Sequence, residues 1–412
     1  MGDRDRGLPS RNFLALLARR TLASFFNSIP SQYVNVYVVE MGLSEQDLGV
    51  LNSAGMLLAA APSALLCFAA DAASRRRAYL VALLFEILTA LLFFVSNSPL
   101  MLLAAMACSA IALFGVRMVE NVLVADSLRG RQRAFGFGIL NALSITVSLV
   151  APLVAAHVVN LYGGISVEGI RPLFLIQLSG LSLAYIVALA FVREARSMKR
   201  AGYGEALRDS IEILKLNPWL KRWILLEALG GYVFSLSTPF EMVYAVRVKR
   251  ADEFVLGYMG AAMNIGSVLM LPLVGRLADG IGRVKTILLL RPLFYISTAV
   301  FLLATDPSHL IAAWFLRGMW LASVAPFQAL ALELVPYDYR GRWGGIRYLL
   351  SMPLRSPASA IGGYLYSNIA PEAPFIVATT IDLFLRVPLI YRTPETLDRG
   401  KYLEIFKRAE RS

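Results

Sequence analysis

The chain has 412 residues, 57% of them apolar, and a mean hydropathy of +0.61. That composition excludes a soluble multidomain protein, and apolar runs of about 18 to 25 residues exclude a barrel, whose strands alternate over about ten. The formal charge of +12 does not require a nucleic acid, because topology alone accounts for where the basic residues fall.

In chain order, spans are predicted at 21–39, 47–70, 78–95, 100–124, 134–157, 172–192, 222–246, 254–277, 285–304, 309–333, 343–367 and 374–391. Each is long enough to cross about 30 Å of hydrocarbon. With the N-terminus inside and twelve spans alternating, Arg4, Arg6, Arg11, Arg19 and Arg20 lie on the inner side. Arg75 to Arg77, Arg129 to Arg133, eight basic residues between Arg193 and Arg222, and those of the tail join them there. Outer loops hold only Arg171, Arg247, Lys249 and Arg250. This asymmetry is the positive-inside rule. The expectation is a multi-pass cell-membrane protein in the lipid bilayer, monomeric, with both termini cytoplasmic and no nucleic-acid partner.

The apolar run after Asn12 is interrupted by Arg19-Arg20 and continues to Val39, which reads as a retained first span rather than a cleaved signal. Cys67 and Cys108 both fall in spans and imply no disulfide framework. The stretch 195–219 separates two six-helix bundles, 1–194 and 220–412, the second including the tail. In it Leu207, Ile211 and Leu214 share one face, as in a helix lying on the inner membrane surface.

The halves repeat. Gly275-Arg276-Leu277-Ala278-Asp279-Gly280-Ile281-Gly282-Arg283-Val284-Lys285 joins the eighth span to the ninth, and Asp71, Arg75 and Arg77 precede Asp279, Arg283 and Lys285 by 208 residues each. Arg-Gly-Arg recurs at 129–131 and 340–342. The pattern Gly-x-Leu-Ala-Asp-x-x-Gly-Arg-x-Lys, set at the same place in two membrane-embedded halves, resembles the loop motif of the major facilitator superfamily. The resemblance implies an all-α fold of twelve transmembrane helices in two pseudo-symmetric bundles. It also implies a latch between the halves on the cytoplasmic side in the outward-open state. Its residues would be Asp71, Arg75, Arg77, Gly275, Asp279, Gly282, Arg283 and Lys285, with Asp126, Arg129, Glu333 and Arg340 as partners. Each motif acid is expected to face the positive N-terminal end of a neighbouring helix.

By the same resemblance, spans 1, 4, 7 and 10 line a cavity, and interrupted helices at matching positions mark the binding region. Pro30 and Pro239 are such matching breaks. Asn27, Ser31 and Asn35 form a polar stripe at i, i+4, i+8 with Gln32 beside it, and Thr238, Glu241 and Tyr244 one at i, i+3, i+6. Charges inside spans cost roughly 2.5 to 3.5 kcal/mol each on insertion scales and need partners or water. Arg117, Glu120 and Asn121 share a face of span 4, Arg317 and Gln328 one of span 10, and Arg347, Ser351, Arg355 and Ser359 one of span 11. Candidate substrate contacts are therefore Asn27, Gln32, Asn35, Arg117, Asn121, Tyr244, Arg317, Gln328 and Arg355. Candidate proton carriers are Glu241, then Glu120, with Arg117 one turn away, then Glu227.

Ala151-Pro152-Leu153-Val154-Ala155-Ala156 stands where antiporters of the family often have Gly-Pro-x-x-Gly-Gly. His157 and His309 lack metal-ligand neighbours, and no Walker loop or nucleophile elbow occurs. The expectation is a non-enzymatic secondary transporter without metal or cofactor. It would move a small organic solute by alternating access with protons, and the solute would be anionic or zwitterionic. A multidrug exporter and a non-transporting sensor or scaffold are the alternatives.

Overall fold

The computed structural model describes residues 11–72, 74–128, 133–194, 214, 218–335 and 340–396. Of the segment 195–219 only Leu214, Pro218 and Trp219 are described, and Arg129 lies outside the described residues. Among the described residues there are twelve consecutive helical spans and no strand. In the first half, span 1 comprises Arg11–Ser28 and Val34–Glu40, span 2 Glu45–Ala72, and span 3 Arg75–Val95. Span 4 is Pro99–Ser127, span 5 Arg133–Val147 and Ala151–Leu161, and span 6 Val167–Phe191. In the second half, span 7 is Pro218–Arg247, span 8 Glu253–Gly280, and span 9 Arg283–Leu303. Span 10 joins Pro307–Leu321 to Val324–Glu333, and span 11 joins Arg340–Arg355 to Ala358–Asn368. Span 12 runs from Ala373–Ile381 through a π-helical turn, Asp382–Arg386, to Val387–Tyr391.

Among the described residues, nine of the spans are long and apolar enough to cross a membrane by length and composition. Spans 1, 7 and 11 fall short, and these three carry charged and polar groups along their length. The described part of span 1 reaches back to Arg11, ten residues before its predicted start, so Arg19 is no interfacial residue: it is 2% exposed inside the first bundle. The apolar pattern hid this because an arginine pair reads as a membrane boundary unless its carboxylate partners on other spans are known.

Polar caps punctuate the short connections. Ser74, Ser98 and Ser166 accept from the amides of Arg77, Met101 and Gly169 at the starts of spans 3, 4 and 6, the position where a hydroxyl satisfies an orphan donor. At the start of span 10, hydrogen bonds from the Ser308 side chain and amide hold the Asp306 carboxyl below its usual range.

The two matched prolines behave differently. Pro30 offers no amide and crowds the carbonyl four residues before it, and span 1 breaks into a turn over 29–33. Pro239 lies in an unbroken helix. The carbonyl it leaves unpaired is that of Ser235, and the Ser359 hydroxyl of span 11 donates to that oxygen at 2.7 Å. A neighbouring side chain has re-satisfied the freed group, as membrane bundles require.

We call the end bearing Arg75 to Arg77, Arg283 and Lys285 the basic end. The halves meet most closely at the far end, where span 7 packs on the far-end segment of span 1, span 8 on that of span 5, and span 11 on span 2. One buried cluster there, including Tyr33, Val159, Phe240, Tyr244 and Leu256, draws on both halves. Arg247 pairs with Glu40 at 3.0 Å, the Tyr33 hydroxyl donates to the Glu253 carbonyl at 2.8 Å, and Asn368 donates to Gln46 at 3.2 Å.

Candidate functional site

Toward the basic end, span 4 turns an exposed face to the other half. Leu113, Arg117 and Asn121 recur every fourth residue on it, while Glu120 lies on the buried face. Beside them Phe114 receives Arg355 of span 11, whose guanidinium sits 4.7 Å from the ring centroid. This cation-on-ring contact crosses between the halves. Arg117 and Asn121 therefore share a face as expected, but Glu120 leaves it.

Glu120 instead belongs to a network inside the first bundle. Arg19 donates to it at 3.1 Å, Arg20 at 3.3 Å and the Tyr79 hydroxyl at 2.6 Å. Arg19 also pairs with Glu86 of span 3, and Arg20 reaches Asn141 of span 5 at 2.9 Å. Two carboxylates thus face two guanidiniums, a balance that membrane burial demands. Arg19 and Arg20 come from span 1, about 100 residues before Glu120 in sequence.

Among the described residues, the second bundle pairs acids with arginines between its spans. Glu241 of span 7 lies 3.3 Å from Arg317 of span 10, which also donates to Thr298 at 3.1 Å and stacks over Phe294 at 4.7 Å. Glu227 lies 3.0 Å from Arg347, which donates to Gln328 at 3.3 Å. Asp382 accepts from Arg291 at 2.9 Å, Tyr295 at 2.9 Å and Arg386 at 3.3 Å. Arg317 and Gln328 lie on either side of the interruption of span 10 between Leu321 and Val324 and have different partners. The span 11 stripe is divided likewise after Arg355.

The break at Pro30 also undoes the stripe on span 1. Asn27 accepts from Gln177 of span 6 at 2.8 Å, and the Ser31 hydroxyl turns back to the Ser28 carbonyl at 2.8 Å. Gln32 is buried against Gly260 of span 8, and Asn35 is half-buried. Tyr244 sits in the far-end cluster and donates to Glu372 at 3.0 Å.

At the basic end the motif loops close within their own halves. Arg75 pairs with Asp126, and Arg283 with Glu333 at 3.3 Å. Arg77 and Lys285 are exposed, Asp71 lies near the end of span 2, Gly275 lies within span 8, and Arg340 begins span 11. Gly282 starts span 9 at φ +105°, a left-handed conformation that favours glycine. The Asp279 side chain is 78% exposed and lies 3.4 Å from Arg283. In this conformation other acids occupy the helix starts. Glu194 accepts from the amides of Arg75 and Arg76 at 3.0 and 3.3 Å, and Glu395 from those of Arg283 and Val284 at 2.8 and 3.0 Å. Each acid follows the last span of its half. That position is the one signal in the sequence that could have found them.

The alanines of 151–156 have a structural answer. A Cβ on Gly257 of span 8 would lie 2.8 Å from Ala156 Cβ and 3.0 Å from the Pro152 carbonyl oxygen, and one on Gly260 would lie 2.8 Å from Pro152 Cβ. The small residues that permit close approach of spans 5 and 8 are carried by span 8.

The Major Facilitator Superfamily model matches residues 12–248 and 242–405. The chain is 23% identical over 282 residues to the multidrug resistance protein MdtG of Proteus mirabilis strain HI4320, covering 67% of this chain and 68% of that protein. Among solved structures it is similar to a D-xylose-proton symporter, with a TM-score of 0.69 at 13% identity over 94% of this chain and 99% of that one. It is also similar to the human organic anion transporter MFSD10, with a TM-score of 0.67 at 14% identity over 92% of this chain and 99% of that one. At these identities the likeness to solved structures speaks for the fold.

Proposed function

The chain belongs to the Major Facilitator Superfamily, and from that premise we propose that it is a secondary active transporter that carries a small organic solute by alternating access. The observation that carries this reading is the cross-half meeting of Arg355 with Phe114, beside the exposed Arg117 and Asn121, below a far end where the halves are packed shut. A solute entering between the halves would meet two guanidiniums, an amide and an aromatic face. That chemistry favours an anionic or zwitterionic solute with an apolar portion.

The orientation follows the positive-inside rule, with the basic end and both termini cytoplasmic. The conformation described is then inward-facing. The halves are the bundles 1–194 and 220–412, joined by 195–219. Protons are the proposed drive, with Glu241 the first carrier and Glu120 and Glu227 behind it, each beside an arginine that could retain or release it as the halves rock. Similarity to the Proteus multidrug resistance protein supports a second reading, export of hydrophobic compounds.

A thermal-shift screen of metabolites and drugs, followed by flux into liposomes, tests both. Stabilisation and saturable flux by organic anions or amino-acid-like solutes supports the first reading, and by lipophilic cations the second. Stabilising ligands that show no saturable flux would leave a sensor or scaffold. Arg117→Ala is expected to raise the half-saturating concentration of an anionic solute at least tenfold.

A further inference from the structure

Two hydrogen bonds cross between the halves onto backbone groups that their own helices leave without a partner. In span 5, Pro152 supplies no amide to the Ser148 carbonyl one turn before it. Asn264 of span 8 donates its Nδ2 to that oxygen at 3.1 Å. In span 11 the helix restarts at Ala358 after Pro357, so the Ala360 amide lies in a first turn, where amides have no intrahelical acceptor. It donates to the Ser53 hydroxyl of span 2 at 2.8 Å. Pro152 and Ala360 are 208 residues apart, the offset of the loop motifs. Each seam carries one joint, onto a carbonyl on span 5 and from an amide on span 11.

Both joints mark the inner edge of a tightly closed seam. On the far side of Asn264, Gly257 and Gly260 lie against Ala156 and Pro152. On the far side of Ser53, Gly49 approaches Ser359 and Gly363, and Gly363 in turn approaches Glu45 and Gln46. While the seams are closed, these side chains are what satisfies the two backbone groups. When a seam parts, water takes their place.

The geometry points to Asn264 and Ser53 as positioning residues that hold the far end shut during the transport cycle. Losing either bond penalises the closed far end alone, because only there is a backbone group left buried and unpaired. The low end of the cost of such a group corresponds to a shift of about five- to tenfold toward the open far end. The idea rests on the alternating-access reading, yet its readout is separate: wild-type solute flux decides that reading, and far-end distances decide this one.

The test is double electron-electron resonance between spin labels at Asn97 and Thr305, exposed loop positions of the two halves at the far end, in a protein carrying Cys67→Ser and Cys108→Ser. Asn264→Leu and Ser53→Ala should each raise the long-distance population about five- to tenfold, and Ser53→Thr should not. Pro152→Ala returns the missing amide to Ser148, so combined with Asn264→Leu it should restore the short distance. Ser53→Ala removes a single oxygen and keeps the question open to measurement if the leucine variant fails to fold. Unchanged distances in the single variants, or a proline replacement that leaves Asn264→Leu unrescued, would overturn the inference.

Discussion

Glu241 and Arg317 stand 3.3 Å apart on spans 7 and 10, the carboxylate on the first and the guanidinium on the second, both nearly closed to solvent. Removing one partner of such a pair leaves an uncompensated buried charge and costs about 3–5 kcal/mol. Glu241→Gln is therefore expected to lower the melting temperature sharply and to abolish pH-driven uptake while solute counterflow persists. Glu241→Leu combined with Arg317→Met should regain most of the lost stability. Unaltered pH-driven uptake in the glutamine variant would remove Glu241 from proton coupling.

Arg19 offers a stability test that separates two views of span 1. At a membrane surface, Arg19→Ala would change stability by less than about 1 kcal/mol. Bonded to Glu86 and Glu120 inside the bundle, it should cost about 3–5 kcal/mol, with Glu86→Gln recovering part. Thermal unfolding in detergent of the three proteins reads the difference.

The seam between spans 5 and 8 should tolerate an exchange better than a single change. Gly257→Ala puts a methyl against Ala156 and the Pro152 carbonyl, a degree of overpacking that costs about 1–3 kcal/mol. Adding Ala156→Gly should return part of it. Transport rates of the single and double variants in liposomes would decide, and equal rates in both would argue against steric closure at this seam.

Glu395 at the start of span 9 makes the motif loop testable. Glu395→Gln weakens a charge-assisted cap on two amides, worth about 0.5–2 kcal/mol. It should therefore favour the conformation in which the basic end closes. Asp279→Asn should act oppositely, since Asp279 is the acid proposed to latch that closed end. Labelling rates of single cysteines at the basic end should fall in the first variant and rise in the second. Matching changes would sink the assignment of opposite roles.

Sequence made the all-helical membrane fold and the motif loops legible, because hydropathy and the offset between Asp71 and Asp279 are properties of the chain alone. Side-chain stripes were less legible wherever a helix breaks. Asn27 and Ser31 share a face only if the helix runs through Pro30, and Arg317 and Gln328 only if span 10 runs past Leu321. Partners were illegible for a different reason. Arg19 with Glu86, Arg291 with Asp382, and Glu395 with Val284 join spans far apart in sequence, and nothing local to either residue specifies the other.

Glu194 grips the start of span 3 from the point where the chain leaves the first bundle. A pull on the tether between the bundles would be felt first at that grip, before it reached any helix. A protein that clamped or stretched the tether would then have a mechanical handle on the first bundle's loop, several turns away from the passenger.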